Sequence, residues 1–177
     1  MSIVFIGGVH GVGKSTCCQH IAERTGIQWL TASALIKAEK QSAITVGSKA
    51  VVNPIGNQEL LLRGIRNCMH PDWKRALLDG HFTLLNADGE IVAIGIDVFD
   101  QLRLERIIVV RDAAAAICSR LRERDGQDWS ISKISTHQDA EIQQAHDVAT
   151  KLCIPILHIN AFDAADFEKA VELLCQS

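Results

Sequence analysis

The sequence predicts an α/β fold, in which a parallel β-sheet is covered by helices on both faces. Residues 3–6, 76–78 and 107–110 form continuously apolar runs, as do strands that are buried on both faces. Segments with helical spacing alternate with these runs, and strand–helix alternation is typical of a parallel sheet. Since no repeat or linker is evident, we expect the 177 residues to form a single domain over 1–177.

Each element follows from this pattern in turn. Strands are expected at 3–8, 27–30, 75–82, 106–111 and 155–160, and helices near 14–25, 33–41, 56–69, 113–124, 132–152 and 163–175. One segment interrupts the alternation, because apolar residues flank the turn sequence Asn86-Ala87-Asp88-Gly89. We therefore expect a small antiparallel hairpin insertion near 82–94, at the edge of the main sheet.

A phosphate-binding motif follows the first predicted strand. Residues 8–15 match G-x-x-x-x-G-K-S, the loop that surrounds phosphates in nucleoside-triphosphate enzymes. Lys14 would reach the terminal phosphates, and the Ser15 hydroxyl would ligate Mg²⁺. The following helix would direct the positive end of its dipole at the same phosphates. The residues expected to bind the nucleotide here are Gly8, Gly11, Val12, Gly13, Lys14, Ser15 and Thr16.

A carboxylate ends the third predicted strand. Asp79 closes the run Arg75-Ala76-Leu77-Leu78-Asp79-Gly80, and open α/β sheets bind ligands at the carboxyl ends of their strands. Phosphoryl transfer also requires a carboxylate near Mg²⁺. We expect Asp79 to support the metal or to accept a proton from an alcohol acceptor. The alternative is a turn aspartate that only ends the strand.

Two arginines occupy one face of a predicted helix. Arg120 and Arg124 are four residues apart, and the helix ends at an Asp-Gly pair before a polar segment. This arrangement is typical of a short lid that supplies positive charge during transfer. We expect the lid itself near 125–133, and the whole lid region, with the two arginines, at about 120–133. The alternative is a solvated basic face on which Glu123 pairs with Arg120.

The acceptor is expected to bind between the first and third strands, within about 31–69. Ser33 offers a hydroxyl after the second strand, although a helix N-cap role would also explain it. Asn57 lies in an amide-rich segment. Arg63 would hold an anionic acceptor, or would pair with the glutamate four residues before it. His81 would contact the acceptor, or would be a hydrogen-bonded core histidine.

Composition limits the functional classes. The net charge of −3 and the small number of aromatic residues, five Phe, three Trp and no Tyr, do not favour a nucleic-acid partner. Six cysteines without C-x-x-C spacing favour reduced thiols over a disulfide framework or a zinc site. The first apolar run is too short to cross a bilayer. We therefore expect a cytoplasmic protein without a membrane partner.

The motifs together resemble those of the P-loop kinases of the nucleoside-monophosphate kinase group. Leu77-Leu78-Asp79-Gly80 is similar to the L-L-D-G of adenylate kinases, and residues 120–124 resemble the R-x-x-x-R that opens their lid. Asp79-Gly80-His81 is similar to the Asp-x-His of small adenylate-kinase-like ATPases. The resemblance implies a three-layer P-loop NTPase fold with a five-stranded parallel sheet in the order 2-3-1-4-5. It also implies ATP and Mg²⁺ as cofactors, and adenine stacking on Arg120.

These features predict an ATP-dependent phosphotransferase that moves the γ-phosphoryl group to a small acceptor, a nucleotide or a nucleoside. In adenylate kinases an aromatic residue, a proline and an arginine follow L-L-D-G, whereas His81-Phe82-Thr83 follow it here. Since that arginine is missing, an adenylate-kinase-like ATPase or nucleotide switch is the alternative. The 82–94 hairpin would then offer a docking edge to a protein partner.

Overall fold

The structure is a computed structural model that describes residues 2–45, 56–126 and 128–175. Its strands are β1 (Ser2–Gly7), β2 (Gln28–Thr31), β3 (Arg75–Asp79), β4 (Thr83–Leu85), β5 (Ile91–Ala93), β6 (Leu104–Arg111) and β7 (Ile156–Asn160). Its helices are α1 (Lys14–Thr25), α2 (Ala32–Thr45), α3 (Asn57–Cys68), α4 (Ile96–Gln101), α5 (Ala114–Asp125), α6 (Ile131–Leu152) and α7 (Ala164–Cys175). Residues 46–55 of the expected acceptor region and residue 127 of the expected lid lie outside the described residues.

The main sheet has five parallel strands in the order β2-β3-β1-β6-β7. When the two hairpin strands β4 and β5 are left out and the five main strands are numbered along the chain, this order is 2-3-1-4-5. The central strand β1 pairs with β3, with Ile6 opposite Asp79, and with β6 on its other side. Because all five strands are parallel, their carboxyl ends meet at one edge of the sheet. The loop after β1 therefore lies beside Asp79.

Apolar side chains fill both faces of the sheet. Alternate residues of β1 point to opposite faces. Val4 and Ile6 join a buried cluster with residues of α1, α5 and α7, whereas Ile3 and Phe5 join a second cluster with residues of α3, α4 and α6. The resulting three layers confirm the predicted α/β fold class.

The predicted hairpin forms, but at a different place. Strands β4 and β5 pair antiparallel, with Thr83 opposite Ala93. The expectation that this hairpin extends the edge of the main sheet is wrong, because β4 and β5 form a separate two-stranded sheet. The hairpin follows β3, an interior strand, and packs against α6. It therefore lies near the carboxyl ends of the central strands.

Several element boundaries differ from the sequence expectation. Helix α2 begins at Ala32, so Ser33 lies in its first turn rather than at the N-cap. The short helix α4 was not predicted. Since α5 ends at Asp125 and α6 begins at Ile131, the described part of the 125–133 lid is a short connection and the first turn of α6. Within the described residues, no helix combines the length and the apolar character needed to span a membrane.

Candidate active site

The loop from β1 to α1 has the backbone of an anion site. Gly8 has a φ of +149°, and a Cβ atom there would lie 2.5 Å from the backbone oxygen of Val110, so a larger residue cannot fit without a shift. Gly13 is the N-cap of α1 in a left-handed conformation and makes no side-chain capping bond. The N–H groups in the first turn of α1 are therefore available to phosphate oxygens.

Lys14 bends back over this loop. Its Nζ donates hydrogen bonds to the backbone oxygens of Gly8, at 2.7 Å, and Val9, at 3.2 Å. The side chain is buried, and burial lowers the pKa of Lys14, although the carboxylates of Asp79 and Glu141 act to raise it. Because the ammonium is already desolvated, a bound phosphate would strongly stabilise its charged form.

Asp79 and Ser15 meet at the carboxyl edge of the sheet. The Asp79 carboxyl is buried and lines the same cavity as Ser15. Burial raises the pKa of Asp79, while Lys14, His81 and the Ser15 hydroxyl oppose that rise. Carboxylate and hydroxyl oxygens are hard ligands of the kind that Mg²⁺ prefers. These two side chains therefore fit a magnesium ion beside the loop.

Arg120 contacts the phosphate loop from outside. Its Nε donates to the backbone oxygen of Gly11 at 3.0 Å, and its Nη2 donates to Oδ2 of Asp112 at 2.7 Å. Its observed ion-pair partner is therefore Asp112 rather than the Glu123 of the alternative interpretation. The guanidinium carbon lies 4.9 Å from the ring centroid of Phe162, a cation–π contact. Arg120 and Phe162 thus pack against each other beside the loop.

Arg124 reaches the same loop through a histidine. Its Nη2 lies 2.6 Å from Nε2 of His10, and its Nε and Nη2 donate to the Asp125 carboxylate at 2.7 Å and 2.6 Å. Sequence reasoning assigned His10 no role, because that position of the motif is variable. The contact joins residues 114 positions apart, so no local pattern signals it.

A fully buried carboxylate holds the segment after Asp79. Glu141 of α6 is 0% exposed and accepts hydrogen bonds from the N–H groups of Phe82 and Thr83, each at 3.0 Å, and from the Thr83 hydroxyl at 3.0 Å. Its Oε1 lies 3.5 Å from Nδ1 of His81. Burial acts to raise the pKa of Glu141, but His81 and the two backbone donors together lower it below its ordinary value. Sequence reasoning missed Glu141, because a glutamate on a polar helix carries no distinguishing signal.

One cavity of about 1350 Å³ extends from the phosphate loop to α2 and α3. Three of the predicted acceptor residues, Ser33, Asn57 and His81, are among the described residues that line it. Arg63 is not among them. Its Nε instead lies 3.6 Å from Oε2 of Glu39, so the structure does not bring Arg63 to the cavity.

Sequence reasoning missed much of the wall of this cavity. Lys37 and Lys40 of α2 contribute two cations one helical turn apart. The apolar part of the wall includes Phe5, Ile36, Leu61, Leu84, Val98, Phe99 and Leu102. These residues come from β1, α2, α3, α4 with the residue that follows it, and the hairpin, and only the packing of those elements shows that they share a cavity.

Comparison with known proteins assigns the family. A model of an AAA domain matches residues 7–138, which is more than half of the chain. The chain belongs to this AAA-domain family. The matched residues of the AAA domain include the phosphate loop, Asp79 and both arginines of α5. No curated protein matches the chain significantly.

The AAA-domain chain is also similar in fold to a gluconokinase from Sinorhizobium meliloti 1021. The two share 18% sequence identity over 99% of this chain and 97% of that chain, with a TM-score of 0.53. At this identity the likeness concerns the fold alone, which it confirms as the P-loop α/β class.

Proposed function

We propose that this AAA-domain protein is an ATP-dependent phosphotransferase that transfers the γ-phosphoryl group to a small acceptor. The observation that carries the proposal is the cavity, which has the phosphate loop at one end and a wall from α2 and α3 at the other. Its volume of about 1350 Å³ exceeds the roughly 300–1,000 Å³ of ordinary small-molecule sites. A second substrate therefore has room beside ATP. That the fold neighbour is named a kinase supports the proposal.

The nucleotide would bind through the loop and the neighbouring pair of Arg120 and Phe162. Lys14 and the N–H groups at the start of α1 would hold the β- and γ-phosphates. Ser15 and Asp79 would hold Mg²⁺, which would neutralise charge on those phosphates. Arg124 would add positive charge near the γ-phosphate, and Arg120 with Phe162 would support the adenine.

The acceptor would bind in the remaining part of the cavity. Ser33, Asn57 and His81 would contact it, and the resemblance to nucleoside-monophosphate kinases favours a nucleotide or a nucleoside. The test is ADP release from ATP and Mg²⁺, with and without a panel of nucleosides, nucleotides and small alcohols. We expect one compound to stimulate turnover strongly and to be recovered phosphorylated. ADP release that no small compound stimulates would overturn the proposal.

A substitution at Asp79 tests the metal assignment. Asp79→Asn keeps the volume of the side chain but removes its charge, so we expect turnover to fall by about 100-fold or more. Asp88→Asn makes the same change at an exposed residue of the hairpin turn and should retain turnover. If both variants turn over ATP like the original protein, Asp79 does not support the metal.

One observation favours a second candidate, an ATPase or nucleotide switch with a protein partner. Leu84, Leu85 and Val92 of the hairpin expose 46%, 40% and 48% of their surface, and Leu84 lies opposite Val92, so they form the kind of apolar patch that often binds a protein. A protein that covered the hairpin could respond to the nucleotide state. Stimulation of ADP release by such a protein, without any phosphorylated small product, would identify this second function.

A further inference from the structure

Helix α2 carries the cavity away from Asp79. Its first residue, Ala32, lies beside Gly80, because a Cβ atom added to Gly80 would be 3.6 Å from the Cβ of Ala32. Lys37 and Lys40, here called the α2 lysine pair, follow at about 7.5 Å and 12 Å along the helix axis from Ala32. Both still line the cavity. A ligand that contacts both this pair and the phosphate loop therefore extends along α2.

The α2 lysine pair is not neutralised on its own part of the wall. Among the described residues, neither ammonium has an ion-pair or hydrogen-bond partner. Glu39 of the same helix faces α3 instead, where its Oε1 accepts a hydrogen bond from Asn67 at 2.8 Å and its Oε2 lies 3.6 Å from Nε of Arg63. None of the acidic side chains of α2, α3, α4 and the hairpin is among the described residues that line the cavity; they are Glu39, Glu59, Asp88, Glu90, Asp97 and Asp100.

The cations at the other end of the cavity have different partners. Lys14, Arg120 and Arg124 all contact residues of the phosphate loop. They surround the place where the phosphates of ATP would bind, and two carboxylates, Asp79 and Glu123, line the same end. Because the α2 lysine pair lies further along the cavity, its positive charge is available to a different anion. The second substrate is the ligand that remains.

The side chains around the α2 lysine pair also suit an anion. Ser33, Asn57 and Gln58 line the cavity. Hydroxyl and amide groups donate hydrogen bonds to phosphate or carboxylate oxygens without adding negative charge. A lysine ammonium is a flexible point charge that binds either anion. Neighbouring wall residues such as Ile36 and Leu61 are apolar, so the pair is the favoured position for a charged group of the acceptor.

We propose that the acceptor carries an anionic group, a phosphate or a carboxylate, that the α2 lysine pair binds, and that a different oxygen of the acceptor is phosphorylated. The inference rests on the proposed function. The attacking oxygen, at the Asp79 end, forms a bond to the γ-phosphorus while the bond from that phosphorus to the β–γ bridging oxygen breaks. ADP leaves with the electron pair of the broken bond, and any proton on the attacking oxygen passes to an oxygen of the transferred group. The anionic group is unchanged in the product.

The first test compares acceptors in matched pairs. The full chain is incubated with radiolabelled ATP and Mg²⁺ and with sugar phosphates and their parent sugars, sugar acids and the matching polyols, and nucleoside monophosphates and nucleosides. We expect the anionic member of one pair to have a kcat/KM about 100-fold above that of its neutral partner, from roughly tenfold for each lysine. The pair that responds shows whether the anion is a phosphate or a carboxylate.

The other outcomes separate this inference from the proposed function. If the neutral member of every accepted pair is phosphorylated as well as the anionic member, the anion inference is wrong and the phosphotransferase proposal stands. Release of ADP without a phosphorylated product from any compound would overturn both.

The product shows whether the anion and the attacking oxygen are different groups. Phosphorus NMR and fragmentation in a mass spectrometer locate the new phosphoryl group. We expect it on another oxygen of the acceptor, with the original anion still free. A new phosphoryl group on the anion itself, such as a nucleoside diphosphate made from a nucleoside monophosphate, would overturn the inference and leave the phosphotransferase proposal standing.

Variants of the α2 lysine pair test the binding site. Lys37→Met and Lys40→Met remove the charge but keep a long side chain, and each should raise the KM for the anionic acceptor about tenfold, with nearly unchanged kcat and KM for ATP. Lys40→Arg should retain most of the affinity. Lys151→Met makes the same change at an exposed lysine of α6 outside the cavity and should have no effect. If neither methionine variant differs from this control, or if both weaken ATP binding instead, the pair does not bind the acceptor.

Discussion

Replacing Glu141 with alanine would remove the acceptor for three donors that follow β3. The N–H groups of Phe82 and Thr83 and the Thr83 hydroxyl all donate to this carboxylate, and all lie in a buried environment. Alanine offers no acceptor, and the α6 backbone is already hydrogen-bonded within its helix. The two N–H groups would therefore be left without a protein partner, whereas the Thr83 hydroxyl would keep its contact with Nε2 of His137 at 3.0 Å.

The expected loss of stability follows from these contacts. Each buried donor without a partner costs about 1–3 kcal/mol, but water that enters the vacated polar space recovers part of that sum. Removing one member of a buried ionic network typically costs about 3–5 kcal/mol. We therefore expect Glu141→Ala to lower the free energy of unfolding by about 3–5 kcal/mol. For a chain of this size that corresponds to a fall in Tm on the order of 10 °C.

Urea denaturation and thermal melting measure this change. Asp139→Ala removes an exposed carboxylate from the same helix and should change the free energy of unfolding by no more than about 0.5 kcal/mol. If Glu141→Ala is as mild as this control, the buried carboxylate does not hold the segment after Asp79, and the reasoning fails.

The same carboxylate predicts a pH dependence. The pKa of Glu141 lies below its ordinary value of 4.5 in the folded chain, so its ionised form stabilises the fold. This contribution is fully present above pH 4.5 and is lost as the pH falls through the folded-state pKa. The difference in unfolding free energy between the original protein and Glu141→Gln should therefore shrink in acid. A difference that widens below pH 4.5 would contradict this sign.

Two further predictions concern the loop and the thiols. Gly8→Ala should abolish ATP binding measured by calorimetry, because the added Cβ would lie 2.5 Å from the backbone oxygen of Val110. Gly56→Ala is the control and should bind ATP normally, because its added Cβ would meet no atom within 4 Å. Burial raises the pKa of Cys17 to about 12, so a thiol reagent should modify the exposed Cys153 in the native protein and Cys17 only after unfolding. Rapid native labelling of Cys17, mapped by mass spectrometry, would show that α1 is not packed as described.

Much of the fold could be predicted because it depends on neighbours in sequence. Alternating apolar runs and helical patterns predicted the five strands of the main sheet, and the Asp-Gly turn predicted the hairpin. The location of the hairpin was not predictable, because it depends on hydrogen bonds between Thr83 and Glu141, 58 residues apart. Arg63 shows the same limit, since its partner Glu39 lies on a different helix.

The sequence by itself determined the phosphate loop and the acidic end of β3. Backbone groups of consecutive residues build such a loop, so Gly8 to Ser15 carry its geometry wherever the rest of the chain lies. Only the tertiary structure decided which distant side chains lie beside that loop. Packing of α5 and α6 against the sheet brings Arg124 to His10 and Glu141 to His81. The partners lie too far apart in the sequence for helical or strand periodicity to predict these contacts. Those contacts, rather than the loop, decide which side chains surround the cavity beside it.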